Sequence, residues 1–376
     1  MNWRAKGVGG MAGDTGKLGF GMMRLPKKLA RTDIKQTSQM VDEFLDAGFT
    51  YFDTAYVYVG SEEATRKALV SRHPRDSFTV ATKVYPKVAP TAKAAKGQLG
   101  TSLKRLGTDY IDYFLLHSIT DSDYERYDQL GLWDFAAERK AAGVVRHVGF
   151  SFHGGPQVLD RVLTQHPETE FVQLQLNYAD WENPRVQSRA NYEVARAHGK
   201  PIVVMEPVKG GNLANPPAKV KALFDAANPQ ASYASWAIRF AASLDGVLSV
   251  LSGMSNLEQM RDNLAYMRDF QPLSADEMRV IRQAQKLMGA ATRIECTACG
   301  YCLEGCPQQI DIPRVFEAMN ERLDGQLEAA QRHYERAVEG GGLAGDCIAC
   351  GACENVCTQN LPIVDDLALC AKAFGK

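Results

Sequence analysis

The stretch Ile34–Ala47, then Thr50-Tyr51-Phe52-Asp53-Thr54, then Glu62–Val70, reads in order as an amphipathic helix, a short apolar strand and a helix again. Working outward, the same alternation runs from about Leu18 to Tyr266. Apolar, β-branched or aromatic runs fall at Leu18–Gly21, Thr50–Thr54, Phe78–Lys83, Ile111–His117, Val144–Gly149, Phe171–Leu176, Pro201–Met205 and Val247–Leu251. Longer amphipathic stretches separate them, among them Ala92–Leu106, Leu132–Ala142, Pro156–Leu163, Asn183–Ala197 and Gln230–Ala242. Such alternation implies parallel strands joined by crossover helices. Eight strands in about 250 residues predict a closed (β/α)8 TIM barrel. The rival, an open doubly wound sheet, wants fewer strands and a phosphate loop after the first. Gly7-Val8-Gly9-Gly10-Met11-Ala12 fits that loop's pattern only formally. Too few residues precede it to form a strand, and no helix follows.

Composition narrows the function classes. The 376 residues are 45% hydrophobic and 23% charged, as in ordinary globular proteins, with a net charge of −1. No basic field exists for nucleic acid or an anionic membrane. No apolar run is long enough to span a bilayer, and Met1–Gly10 has no signal-peptide core. The chain is therefore expected in the cytoplasm.

All nine cysteines lie at or beyond Cys296. Cysteines crowded into the tail of a cytoplasmic enzyme point to metal ligation rather than a disulfide framework. They form an internal repeat: Cys296-x-x-Cys299-x-x-Cys302-x-x-x-Cys306-Pro307, then Cys347-x-x-Cys350-x-x-Cys353-x-x-x-Cys357. Three thiolates on a tight loop reach three irons of one cubane, and the fourth leads away to the other cluster. Cys296, Cys299, Cys302 and Cys357 are expected to hold one 4Fe–4S cluster; Cys347, Cys350, Cys353 and Cys306 the second. Zinc is the alternative, but it would use CxxC pairs around a spacer. Thr358 stands where a second proline would match Pro307, and Cys370 is left over as a buried thiol. Arg314–Val338, between the motifs, is polar and alanine-rich and predicts helices, so the tail reads as a mainly α-helical dicluster, ferredoxin-like module.

Four residues of the first half stand out by position. Asp53, Lys83 and His117 close three successive predicted strands, and Tyr58 lies in the loop after the first of them. In a barrel, C-terminal strand ends converge on one mouth. A free phenol has a pKa near ~10, and a nearby ammonium lowers it. Tyr58 is then expected to protonate a carbonyl, with Lys83 acidifying it, Asp53 keeping Lys83 charged and His117 orienting the substrate oxygen.

Gly48-Phe49-Thr50-Tyr51-Phe52-Asp53-Thr54-Ala55-Tyr56-Val57-Tyr58, followed by Gly60-Ser61-Glu62-Glu63, resembles the second-strand signature of the aldo-keto reductase family. The lysine and Leu-Leu-His segments follow at the family's intervals, so all four tetrad positions match. With the tail, the chain looks like the branch of that family fused to a ferredoxin-like domain. The resemblance implies NADP(H) or NAD(H) lying across the barrel mouth. It places Gly21 and Met22 near the cofactor and Ser151 and Gln173 at the carboxamide. Gly253, Ser255, Gln259 and Asn263 fall at the pyrophosphate and adenosine end. Two departures matter: Phe152 replaces the usual asparagine after Ser151, so part of the carboxamide clamp is missing, and Gly253 or Met254 replaces the lysine often paired with the 2′-phosphate, which stands against NADP preference and leaves Arg261 as a source of charge.

The division expected is a barrel over 1–272, a linker helix over 273–292 with Ser274 and Glu277 as a capping box, and a cluster domain over 293–376. The substrate expected is a small-molecule carbonyl or alcohol, with Tyr124, Tyr127, Trp133, Trp181 and Met23 as candidate pocket residues. Two roles for the clusters stay open: structural, or relaying electrons to a ferredoxin or another redox partner. A nicotinamide passes electron pairs and a cubane passes single electrons, so a flavin also has room in the scheme. A bare binding scaffold is the third reading, which the intact tetrad opposes.

Overall fold

The computed structural model describes residues 16–288 and 293–375; the Gly7–Ala12 segment lies outside them. The barrel strands are β1 Leu18–Gly21, β2 Tyr51–Asp53, β3 Thr79–Val84, β4 Ile111–Ile119, β5 Val145–Phe152, β6 Phe171–Gln175, β7 Ile202–Met205 and β8 Val247–Ser252. They close in the order β1-β8-β7-β6-β5-β4-β3-β2, every neighbour parallel.

Strand alternation decides what each face does. Tyr51, Ala81, Tyr113, Leu115, Phe171, Val203 and Leu251 fill the interior, with the Tyr51 and Tyr113 rings 4.9 Å apart. Their neighbours Phe52, Val80, Phe114, Leu116, Val172 and Val204 face outward into the core under the helices. Each fully buried side chain of this size contributes about 1.5–3 kcal/mol. The period of two carries the inward parity up each strand, from Tyr51 to Asp53, from Ala81 to Lys83, and from Tyr113 through Leu115 to His117. The three polar residues thus form the top rung of an otherwise apolar interior.

The helices differ from expectation in places. The segment expected as Asn183–Ala197 becomes helical only at Ser188, because the Asn183 side chain takes the Arg185 and Val186 amides into a turn. The segment expected as Gln230–Ala242 starts at Tyr233, with Ser232 as its cap. Helices at Tyr124–Gln129 and Ala218–Ala227 add to those expected. Ala275–Met288 carries the capping box: Ser274 N–H donates to Glu277 at 2.8 Å and Glu277 N–H to Ser274 at 3.2 Å. Ile281 and Ala284 of this helix join Tyr178, Phe224 and Trp236 in one core. Among the described residues no helix is long and apolar enough to cross a membrane.

Beyond Arg293 the chain is mainly α-helical, with helices Ile312–Leu323, Leu327–Ala337 and Ile363–Phe374 packed around Phe316, Tyr334 and Leu367. Cys370 is fully buried in this core. The sequence repeat is also a backbone repeat. Ala298 and Ala349, Gly300 and Gly351, and Gln309 and Asn360 all have positive φ, at one constant offset. The helices after the fourth cysteines, from Ile312 and from Ile363, keep the same offset at both ends. Left-handed alanines cost about 1–2 kcal/mol each, so the loops hold this shape against local preference.

Candidate active site at the barrel mouth

The loop bearing Tyr58 is tied down from several sides. Ser61 hydrogen-bonds Thr54 at 2.7 Å and donates to the Met22 carbonyl at 2.9 Å. The buried Glu62 carboxylate accepts from Thr82 at 2.8 Å and Arg105 at 3.2 Å. The Gly60-Ser61-Glu62 segment is thus the clamp that aims the phenol at the strand ends.

The four tetrad side chains do meet. The Lys83 ammonium donates to Asp53 at 2.5 Å and to the Thr54 carbonyl at 2.7 Å. It also lies 5.0 Å from the centroid of the Tyr58 ring, close enough to interact with that phenol electrostatically. The Tyr58 and His117 rings stand edge to face at 5.7 Å. Asp53 and Lys83 are almost wholly buried. Burial alone would discharge Lys83, but Asp53 and Tyr58 overcome it and hold the ammonium charged. Burial pushes Asp53 the other way, toward neutral. The charged pair is the better description, because Asp53 accepts from both Lys83 and the Gln173 amide, the latter at 3.2 Å.

The expected acidity of Tyr58 is corrected in sign. Burial raises its phenol above the ordinary value, and the downward pull of Lys83 only moderates that rise. Tyr58 therefore keeps its proton at neutral pH. His117 goes well below the usual histidine range, first through burial and then through Lys83, so its imidazole is neutral. Its Nδ1 has no hydrogen-bond partner among the described residues.

A cavity of about 300 Å³ opens over these groups. Gly21, Gly253, Ser255, Gln259 and Asn263 line it. Asn256 caps the helix Leu257–Met267 here, whose N-terminus favours an anionic group. Ser255 donates to the Arg24 carbonyl at 2.7 Å, and Asn263 to Ser252 at 2.7 Å. Ser151 and Gln173 lie just beneath: Ser151 Oγ accepts the Ser118 amide at 2.7 Å, and Gln173 is bound to Asp53. Met22 is buried, and its neighbour Met23 lines the cavity instead. Arg261 is committed to Glu43 by two hydrogen bonds of 2.9 and 2.7 Å. Tyr127 and Trp133 belong to the core, Tyr127 donating to the His117 carbonyl at 2.6 Å and Trp133 stacking on His166 at 4.0 Å.

Several lining residues carried no sequence signal for this site: Arg24, His153, Glu206 and Tyr301; Cys299 and Thr358, read from the sequence only as part of the cluster motifs, line it too. The C-terminal region closes one side of the mouth. Arg24 donates to the Thr297 carbonyl at 2.7 Å, and Asn212 to the Cys296 carbonyl at 3.3 Å. Glu295 accepts from Arg185 at 2.7 Å and pairs with Lys209 at 3.3 Å. A Cβ on Gly210 would come within 2.6 Å of the Thr297 carbonyl, so this contact needs glycine.

The eight motif cysteines separate into two groups. Cys296, Cys299, Cys302 and Cys357 line one hollow, walled by Ile312, Phe316 and Leu361. Cys306, Cys347, Cys350 and Cys353 line another. The Ala298 amide points at Cys296 Sγ at 3.4 Å, and the Thr358 hydroxyl at Cys299 Sγ at 3.8 Å. Among the described residues no three His, Cys, Asp or Glu side chains converge at the spacing of a single metal ion. Four sulfurs around a hollow, with donors aimed at them, fit a cubane.

Residues 17–286 match the Aldo/keto reductase family model. The chain belongs to the aldo/keto reductase family. Residues 295–361 match the 4Fe-4S dicluster domain, so this family member carries an iron–sulfur module after its barrel. An aldo-keto reductase of Mycolicibacterium vanbaalenii is 31% identical over 249 residues, 65% of this chain and 82% of that protein. Aldo-keto reductase AKR11C1 from Bacillus halodurans, in its holo form, superposes with a TM-score of 0.58 at 27% identity, covering 71% of this chain and 91% of that one. An aldo/keto reductase from Klebsiella pneumoniae, solved with NADP and acetate, shares the fold at 23% identity and a TM-score of 0.59, covering 74% and 93%.

Proposed function

We propose that this aldo/keto reductase family member reduces an aldehyde or ketone, or oxidises the corresponding alcohol, with NADP(H) or NAD(H). The observation that carries it is the Tyr58–Lys83–Asp53 chain, set beside His117 on the floor of an open cavity. Gly21, Gly253, Ser255, Gln259 and Asn263 would hold the dinucleotide and Ser151 and Gln173 its carboxamide end; when bound, the cofactor would supply the hydride. Tyr58 gives its proton to the carbonyl oxygen, or takes it back in the reverse direction. Lys83 stabilises the phenolate that this leaves, and Asp53 keeps Lys83 charged. Neutral His117 donates a hydrogen bond to the same oxygen. The Klebsiella relative's NADP supports a phosphorylated cofactor; the engagement of Arg261 with Glu43 argues for the unphosphorylated one.

We further propose two 4Fe–4S clusters, on Cys296, Cys299, Cys302 and Cys357 and on Cys347, Cys350, Cys353 and Cys306, as the two hollows support. The division into barrel, Ala275–Met288 connector and cluster domain goes with this reading. A second role, electron exchange with a ferredoxin or other redox partner, is favoured by one observation: Cys299 lines the same cavity as Tyr58 and His117. Steady-state reduction of aldehydes by anaerobically purified protein tests the first reading. Tyr58→Phe that leaves turnover intact overturns the assignment. Cys299→Ser that leaves turnover unchanged in folded protein removes the electron-exchange role.

A further inference from the structure

Tyr301 comes from the middle of an iron–sulfur motif, between Cys299 and Cys302, yet its side chain enters the barrel's reaction centre. Its hydroxyl lies 3.4 Å from His117 Nε2, and Tyr301 and Tyr58 interact electrostatically across the same space. Its ring stacks on Tyr85 at 6.1 Å and meets His117 edge-on at 6.2 Å. The loop behind it is held to the barrel by Arg24 and by the close approach of Gly210 to Thr297.

The two groups that engage Tyr301 are the two that, on the proposed function, engage a substrate carbonyl oxygen. An oxygen between Tyr58 O–H and His117 Nε2–H is the arrangement reduction requires. We infer that the Tyr301 hydroxyl occupies the seat of the substrate carbonyl oxygen, and that Tyr301 is a specificity-determining residue each substrate must displace. The ring can turn about its own side-chain bonds while Cys299 and Cys302 keep the backbone fixed. Displacement costs the Tyr301–His117 contact and part of the Tyr85 stack. It selects for carbonyls that are strong acceptors and carry a flat group able to lie against Tyr85, as aryl aldehydes do.

The inference rests on Tyr58 and His117 as the carbonyl-binding pair, and binding can be read apart from turnover. The probe is benzamide, a flat aryl carbonyl that is not reduced, titrated calorimetrically into cluster-loaded protein saturated with nicotinamide dinucleotide. Tyr301→Phe keeps the ring and leaves Tyr58 and His117 without their partner. It should bind benzamide about three- to tenfold more tightly than the natural protein, the worth of one uncompensated hydrogen bond. KM for benzaldehyde should fall by a similar factor with kcat within about twofold. Tyr301→Ala should also bind benzamide more tightly. Benzamide affinity that is unchanged, weaker or absent in both variants overturns the inference. A fall in kcat at constant KM in Tyr301→Phe overturns it as well, making Tyr301 a proton donor. Loss of dependence on Tyr58 in turnover, with benzamide still tightened, would instead sink the catalytic reading alone.

Discussion

Gln175, at the end of β6, and Gln359, two residues past Cys357, hold each other through both ends of their amides, at 3.0 and 3.1 Å. Both are buried, so the pair joins the barrel to the cluster module without help from water. Gln359→Ala leaves the Gln175 amide short of a partner and is expected to cost about 1–3 kcal/mol. A lower urea midpoint, read by circular dichroism on cluster-loaded protein, checks this. Gln175→Ala in combination should cost less than the sum of the two.

Tyr58→Phe should lower carbonyl reduction by about 10²–10⁴-fold, the usual range for a positioned proton donor. Nicotinamide binding, followed by fluorescence titration, should stay within about threefold, because Tyr58 is one wall of a cavity whose anion-binding end lies elsewhere.

Lys83→Met strands Asp53 in the barrel interior. Removing one partner of a buried ion pair costs about 3–5 kcal/mol. Asp53→Asn in the same chain should restore most of that stability while activity stays lost. Thermal unfolding and steady-state rates, measured on both variants and the natural protein, separate the two effects.

Acid should destabilise the protein before it titrates ordinary carboxylates. Burial depresses His153 to about 3 and His117 well below the usual range. Between the unfolded histidine value of about 6.5 and those folded values, the unfolded chain binds protons that the folded chain refuses. Stability is thus full above about pH 6.5 and declines as pH falls toward 3. Urea midpoints from pH 7.5 to 4.5 should show this slope, and His153→Gln should flatten it.

Cys306→Ala and Cys357→Ala should each weaken the cluster built mainly on the other motif. Electron paramagnetic resonance of the reduced variants would show loss of different signals, and the iron count should fall by about half in each. Loss of the same signal in both would contradict the crossed ligation.

Much of the framework is legible in the chain because it depends on local periodicity. The eight strands fall within a few residues of their expected bounds, and the inward parity of Asp53, Lys83 and His117 follows from strand alternation. The cysteine spacing likewise announces its own grouping. What stayed hidden are relationships of long reach. Tyr301 meets His117 across 184 residues, and it occupies a motif position where any residue type is tolerated. The direction of the Tyr58 shift was hidden for a similar reason: a neighbour can be inferred from a motif, but the depth of burial that outweighs it cannot. Asn183 looked helical by pattern, and its side chain instead captured the next amides.

The swap of fourth cysteines between the two hollows has a consequence for assembly. Neither duplicated half supplies all four cysteines of either hollow, so on the proposed ligation neither cluster can form from one half alone. Metal loading would thereby wait for Cys353 and Cys357 to be synthesised, by which time the barrel that the module leans on has already been made.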